Sequence, residues 1–132
     1  DTELALDYAI DQKPSCIDIL AGLGTRLDHS LANVHLLKKS LDQGVFTRII
    51  TENNEVMLID SNITIKGTSG DGVSLLPLTS TVTGVFTTGL AYPVENGSFH
   101  IGKPYGVSNY MTGTVAHIKL NTGLLLVIKY KD

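Results

Sequence analysis

A single cysteine, Cys16, occurs among the 132 residues, so the chain makes no internal disulfide. Cys16 sits in an apolar run and reads as a buried thiol in a reducing compartment, which makes the chain an expected cytoplasmic protein. No apolar run approaches the roughly 20 residues that cross a bilayer, and nothing at the start resembles a signal peptide, so no membrane partner is expected. Basic charge is sparse as well. Ten Lys and Arg are scattered against thirteen Asp and Glu, a formal net charge of −3, which leaves no footprint for a nucleic-acid backbone. Gly-x-Ser-x-Gly does not occur, and His35, His100 and His117 lack the mutual spacing of a zinc site, so neither serine-triad chemistry nor a structural metal is expected. Repeats and low-complexity stretches are missing too.

What is present is globular: 42% of the residues are hydrophobic, enough for one respectable core or two small ones. In residues 2–11, Leu4 and Tyr8, Ala5 and Ala9, and Leu6 and Ile10 stand four apart, which predicts a largely buried helix ended before Pro14. Residues 16–21 read as a short buried strand. A second helix is expected over 28–41, with Leu27, Leu31, Val34, Leu37 and Leu41 along one stripe and Gly44 at its C-terminal end.

From Val45 the texture changes to short strands punctuated by Gly, Asn, Asp and Ser: 47–51, 55–60, 62–66, 73–78, 81–88, 114–120 and 124–130. Glu52-Asn53-Asn54 reads as a turn, and Asn121-Thr122-Gly123 as a hairpin turn into the last strand. Within 114–120, Val115, His117 and Lys119 alternate with Ala116, Ile118 and Leu120. The expected architecture is a partial layered α/β domain at 1–52 followed by an all-β antiparallel sandwich at 53–132.

The candidate chemistry begins at Ala21-Gly22-Leu23-Gly24-Thr25-Arg26-Leu27-Asp28-His29. Gly24 permits close backbone approach to a ligand, Arg26 offers a forked cation for phosphate oxygens, and Asp28 a hard oxygen ligand where a helix starts. That set suits a nucleotide with magnesium, and it equally suits an ordinary strand-to-helix turn in which Arg26 and Asp28 form a local ion pair and cap. Asp1 reads either as a metal carboxylate or as an anion favouring a helix dipole, and His29 either orients a leaving phosphate or stands at the surface. In the β half, Ser74-Leu75-Leu76-Pro77-Leu78-Thr79 carries a proline that a central strand would not tolerate. Gly106-Val107-Ser108-Asn109, beside Tyr105 and Tyr110, reads as turn chemistry or as a set of small polar groups for a flat heterocycle's edge, with an aromatic or methionine on its face.

Taken together, Asp1-Thr2-Glu3-Leu4-Ala5-Leu6, Gly24-Thr25-Arg26-Leu27-Asp28-His29 with Leu31-Ala32-Asn33, Ser74 to Thr79 as above, 82–90 with Tyr92-Pro93, and Gly106-Val107-Ser108-Asn109 resemble the bacterial thiamine pyrophosphokinase family, in order along the chain. The resemblance implies a pyrophosphotransferase of the kinase class that moves pyrophosphate from ATP to thiamine, giving thiamine diphosphate and AMP. It implies that 1–52 is the C-terminal part of a Rossmann-like catalytic domain whose first portion, with most of its acidic ligands, precedes Asp1. It assigns Asp1 and Asp28 to Mg²⁺ and phosphates, Arg26 to phosphate, Gly24 and His29 to the nucleotide, and Ser108 and Asn109 to thiamine. The family's loop often has two adjacent glycines, where Thr25 here follows Gly24, and Met111 stands at an often aromatic position beside Tyr110, so contact with the vitamin's face falls to Met111 or Tyr110. The resemblance further implies a homodimer whose active site is shared between subunits. The 132 residues alone are expected to be inactive, a competing expectation being a thiamine-binding, dimerising module without chemistry and another a nucleotide sensor with an unrelated β domain.

Overall fold

Four-residue spacing of apolar side chains does produce two helices, α1 (Thr2–Asp11) and α2 (Leu27–Asp42), and the β-branched runs produce strands. The computed structural model describes residues 2–20 and 26–131. The result is a mixed α/β chain in which strands predominate, dividing into two units, Asp1–Leu58 and Ile59–Asp132.

In the first unit, β1 (Cys16–Leu20) runs parallel to β2 (Phe46–Ile50), and β2 pairs antiparallel with β3 (Asn54–Ile59). The expected turn between β2 and β3 closes through Thr51 N–H to the Asn54 carbonyl, 2.9 Å, and Asn54 N–H to Thr51 Oγ1, 3.0 Å. That hairpin carries the first unit to Leu58. Helix α2 packs on β2, whose buried residues are Thr47 and Ile49, and Gly44 follows the cap in the left-handed region, φ 76°, as a helix terminus there requires.

Two expectations for this unit need correction. Helix α1 is not largely buried: Leu6 alone is, and Leu4 and Tyr8 are each 71% exposed, because α1 leans on α2 along one side only. Likewise α2 buries Leu37 and Ser40 while Leu27 and Leu31 are exposed. Strand β1 is not a buried strand either. It sits at the edge of the order β1-β2-β3, half-burying Ile17 and Ile19 and exposing Cys16, Asp18 and Leu20, so the thiol expected to be buried is exposed. Among the described residues no helix is long and apolar enough to cross a membrane.

The second unit contains β4 (Asn62–Lys66), β5 (Gly72–Pro77), β6 (Thr81–Thr88), β7 (Gly97–His100), β8 (Asn109–Tyr110), β9 (Val115–Lys119) and β10 (Leu125–Tyr130). One set of neighbours runs β4-β9-β6-β7 and another β10-β5-β8, all antiparallel. Strand β9 buries Ala116 and Ile118 and exposes Val115, His117 and Lys119, the alternation that its sequence predicts. Phe99, Val73, Leu75, Val82, Val85, Ile118, Leu125 and Val127 are all fully buried in this unit.

The segment 121–123 is not a hairpin turn. Strand β9 pairs with β4 and β6 whereas β10 pairs with β5, so these residues carry the chain from one set of strands to the other, with Asn121 N–H and Thr83 N–H bonded to Thr83 and Thr122 carbonyls respectively. Pro77 is tolerated in a central strand because it ends β5, beyond the two residues that β8 pairs. The loop before β8 lies against β5: Gly106 accepts the Leu75 N–H at 2.9 Å, and a Cβ on Gly106 would strike the Phe99 ring and stand 2.5 Å from the Leu75 carbonyl oxygen. Replacing Gly106 with Ala is therefore expected to destabilise the second unit by about 1–3 kcal/mol, read as a lowered urea midpoint; an unchanged midpoint would show that the loop has room to shift.

Candidate functional site

Of the residues singled out in the sequence, Asp1 and Gly24 lie outside the described residues. Arg26, Asp28 and His29 stand at the start of α2 in the first unit, and Ser108, Asn109, Tyr110 and Met111 stand around β8 in the second.

Arg26 is the N-cap of α2 with extended backbone and no side-chain cap bond; its guanidinium instead grips Asp28 in a fork, Nη2 to Oδ2 at 2.7 Å and Nε to Oδ1 at 3.2 Å. Asp28 Oδ1 also accepts the His29 N–H at 2.9 Å. The Arg26 hydrogen bond, and secondarily that amide, hold the Asp28 carboxyl below the usual carboxylate range, so it is ionised throughout the neutral region. Both side chains are about two-thirds exposed, 67% and 64%, so the pair is a local ion pair open to water. His29 is exposed and, with Thr2 and Glu3 of α1 and Asn33 and Leu36 of α2, lines a shallow cavity of about 420 Å³ where the two helix starts meet. Among the described residues no group of three carboxylate, histidine or cysteine side chains comes together as a metal cluster.

The second unit builds a more enclosed arrangement. Residues 106–112 are threaded between β5 and the segment 89–92: Met111 N–H bonds the Asp71 carbonyl at 2.8 Å on one side, and Ala91 N–H bonds the Tyr110 carbonyl at 2.9 Å on the other. Asn109 is 8% exposed and its side chain is spent on this arrangement. Its Oδ1 accepts from Tyr92 N–H at 3.0 Å and Tyr110 N–H at 2.9 Å, and its Nδ2 donates to the Tyr92 carbonyl at 2.7 Å. Met111 is fully buried, whereas Tyr110 is exposed and meets the exposed ring of Tyr92 edge to face, centroids 5.9 Å apart. Ser108 takes a left-handed backbone, φ 67°, and its N–H reaches Ser74 Oγ at 3.1 Å. A side-chain-bearing residue held there stores of the order of 1 kcal/mol of strain, which the surrounding bonds must offset.

Ser108, Asn109 and Tyr110 form one wall of a cavity of about 560 Å³, completed by Asp71, Tyr130 and Lys131 among others. Its volume lies in the range of sites for small organic ligands. Tyr130 lies flat across Gly72, opposite it in the β10/β5 register, where any Cβ would strike the ring. Sequence reasoning singled out neither Asp71 nor the ring of Tyr92 as site residues. Gly70-Asp71-Gly72 reads as a plain turn, and only tertiary pairing brings 69–72, 108–110 and 130–131 to one place.

The family model described as "Thiamin pyrophosphokinase, vitamin B1 binding domain" matches residues 59–125, just over half of the chain. The thiamine pyrophosphokinase of Bacillus subtilis is 27% identical over all of this chain and 63% of its own length, and its crystal structure superposes with a TM-score of 0.94. A thiamin pyrophosphokinase 1 from Caenorhabditis elegans is 25% identical, again over all of this chain and 58% of its own length. The crystal structure of a thiamin pyrophosphokinase from Geobacillus thermodenitrificans is 30% identical, with a TM-score of 0.90 over all of this chain and 61% of that one. The chain thus spans about three fifths of the length of the curated relatives it matches. With more than half of its residues matched by that model, and a polar cavity built from the motif residues Ser108 and Asn109, the chain belongs to the thiamin pyrophosphokinase family.

Proposed function

We propose that this chain takes part in transferring pyrophosphate from ATP to thiamine, yielding thiamine diphosphate and AMP, with thiamine held in the second unit. The observation that carries the reading is the cavity of about 560 Å³, whose wall is the Ser108 to Tyr110 segment, inside the region matched by the vitamin B1 binding model. In this reading the second unit is the antiparallel sandwich, the first is the end of a Rossmann-like layer, and the protein acts as a homodimer whose active site is shared between subunits.

The roles divide by chemistry. Asn109, with both lone-pair positions of Oδ1 and one amide hydrogen engaged, is a positioning residue: it fixes Tyr92 and Tyr110 and leaves at most one N–H for a ligand. Ser108 offers an exposed hydroxyl to the vitamin's ring edge. Face contact falls to Tyr110, aided by Tyr92, since Met111 is fully buried and both rings are exposed.

In the first unit, Arg26 contacts phosphate oxygens, with Gly24 and His29 beside the nucleotide. Asp28 suits one magnesium ligand position: it is ionised, exposed, and held by an arginine that a phosphate can draw away. Asp28 and Asp1 would hold part of the nucleotide's Mg²⁺, two carboxylates being a thin set for such a site, in keeping with the inactivity expected of these 132 residues alone. When bound, Mg²⁺ neutralises charge on the transferred group. The thiamine hydroxyl oxygen bonds to the β-phosphorus and gives its proton to solvent as the bond to the AMP oxygen breaks, a displacement that needs alignment and charge neutralisation and no protein nucleophile.

Titration calorimetry tests this directly: the 132-residue chain is expected to take up thiamine and to show no turnover, whereas a polypeptide of the relatives' full length turns over. Failure of the chain to bind thiamine would overturn the reading. In the full-length form Asp28→Asn is expected to lower turnover on the order of a hundredfold while thiamine affinity stays unchanged. Loss of folding instead would make Asp28 a helix cap and nothing more. Ser108→Gly relieves the left-handed strain and removes the hydroxyl, so stability should hold or rise by about 0.5–1 kcal/mol while thiamine affinity falls; unchanged affinity would remove Ser108 from the ligand contacts.

A further inference from the structure

The cavity beside Ser108 contains a carboxylate that the reading above does not use. Asp71 is 7% exposed and lies at the turn entering β5, its backbone N–H bonded to the Thr68 carbonyl at 2.9 Å and its Oδ2 accepting the Thr68 N–H at 2.9 Å. Two ammonium groups stand near: Lys129 Nζ is 4.0 Å from Oδ2 and Lys131 Nζ 3.8 Å from Oδ1, both beyond hydrogen-bond length. Lys129 Nζ is turned to the Lys66 carbonyl at 3.1 Å, and Lys131 is largely in water. A carboxylate has about four acceptor positions, any of which a ligand's N–H can fill. Here one is filled, and Oδ1 receives no hydrogen bond from any described residue.

Thiamine presents a complementary group: its pyrimidine ring carries an exocyclic amino group, a two-hydrogen donor. We propose that Asp71 is the specificity-determining residue of this cavity, its Oδ1 accepting a hydrogen bond from that amino group and so selecting an aminopyrimidine over its oxo counterpart. The assignment rests on the thiamine reading. It divides the site between an acceptor on the 69–72 side and the small donors and rings of 108–110 on the other. An oxo group at the same position would bring an acceptor against an anion, which is repulsive, so discrimination arises from rejection as much as attraction.

The test is titration calorimetry on the 132-residue chain with thiamine and with oxythiamine, the analogue in which the amino group is replaced by oxygen. Wild type is expected to favour thiamine by at least about tenfold. Asp71→Asn keeps an oxygen for the Thr68 N–H and turns an NH₂ into the cavity, so thiamine should weaken by at least about tenfold and the preference should invert toward oxythiamine. Asp71→Ala should bind both equally. Thermal melts report whether each variant is folded, and the wild-type ratio needs no variant at all. If wild type binds thiamine and oxythiamine equally, or if folded Asp71→Asn keeps the wild-type preference, Asp71 is an internal ion partner of Lys129 and Lys131 and the inference is overturned while the thiamine reading stands. If wild type binds neither, the thiamine reading falls and this inference with it.

Discussion

The second unit depends on one threaded segment. Residues 106–111 lie between two partners, bonded through Gly106 and Met111 to the β5 side and through Tyr110 to the 91 side, with the Asn109 side chain closing the gap across to Tyr92. Each bond is worth about 1 kcal/mol net, but a buried amide left unpaired costs more than that, so the set holds together or fails together. Because side chains alternate along an extended chain, fixing Asn109 and Met111 inward turns Tyr110 outward, and the left-handed turn at Ser108 leaves that side chain exposed as well. The presentation of the candidate ligand groups is thus a consequence of what the buried neighbours require.

The first unit is organised by charge at its surface. Lys39 joins Glu3 and Asp7, tying α2 to α1, and Arg48 lies between Asp18 and Glu55 across three strands. Arg48 is held more firmly protonated chiefly by its hydrogen bond to Asp18. These pairs are exposed or half-exposed, so water screens them and each contributes little to stability. The same screening makes the Arg26–Asp28 pair inexpensive to open, which is the property a phosphate-binding group needs. A buried pair of the same geometry would be too costly to separate.

Legibility from sequence varied with the kind of signal. Helix α2 and strand β9 were readable because their apolar spacing has the period of the element. Strand β7 was not: Gly97-Ser98-Phe99-His100 has one apolar residue and no alternation, and it is a strand because β6 pairs with it. The 121–123 turn looked like a hairpin because Asn, Thr and Gly are hairpin residues. They also suit a crossing between two sets of strands, and the choice lies in which partners β9 and β10 find. Helix α1 and strand β1 are less buried than their apolar content suggests, because apolar periodicity says which face wants a partner and does not supply one.

The sequence by itself determined the element types, the alternation within strands, the family resemblance carried by its motifs, and the residue kinds at the start of α2, since these follow from local spacing and side-chain chemistry. Tertiary structure alone decided that Asp71 shares a cavity with Ser108 and Lys131, that Asn109 is spent on the Tyr92 backbone, and that Met111 is buried while Tyr110 is exposed. The first two facts join residues 17 to 60 positions apart, and only strand pairing across the unit brings such distant residues together.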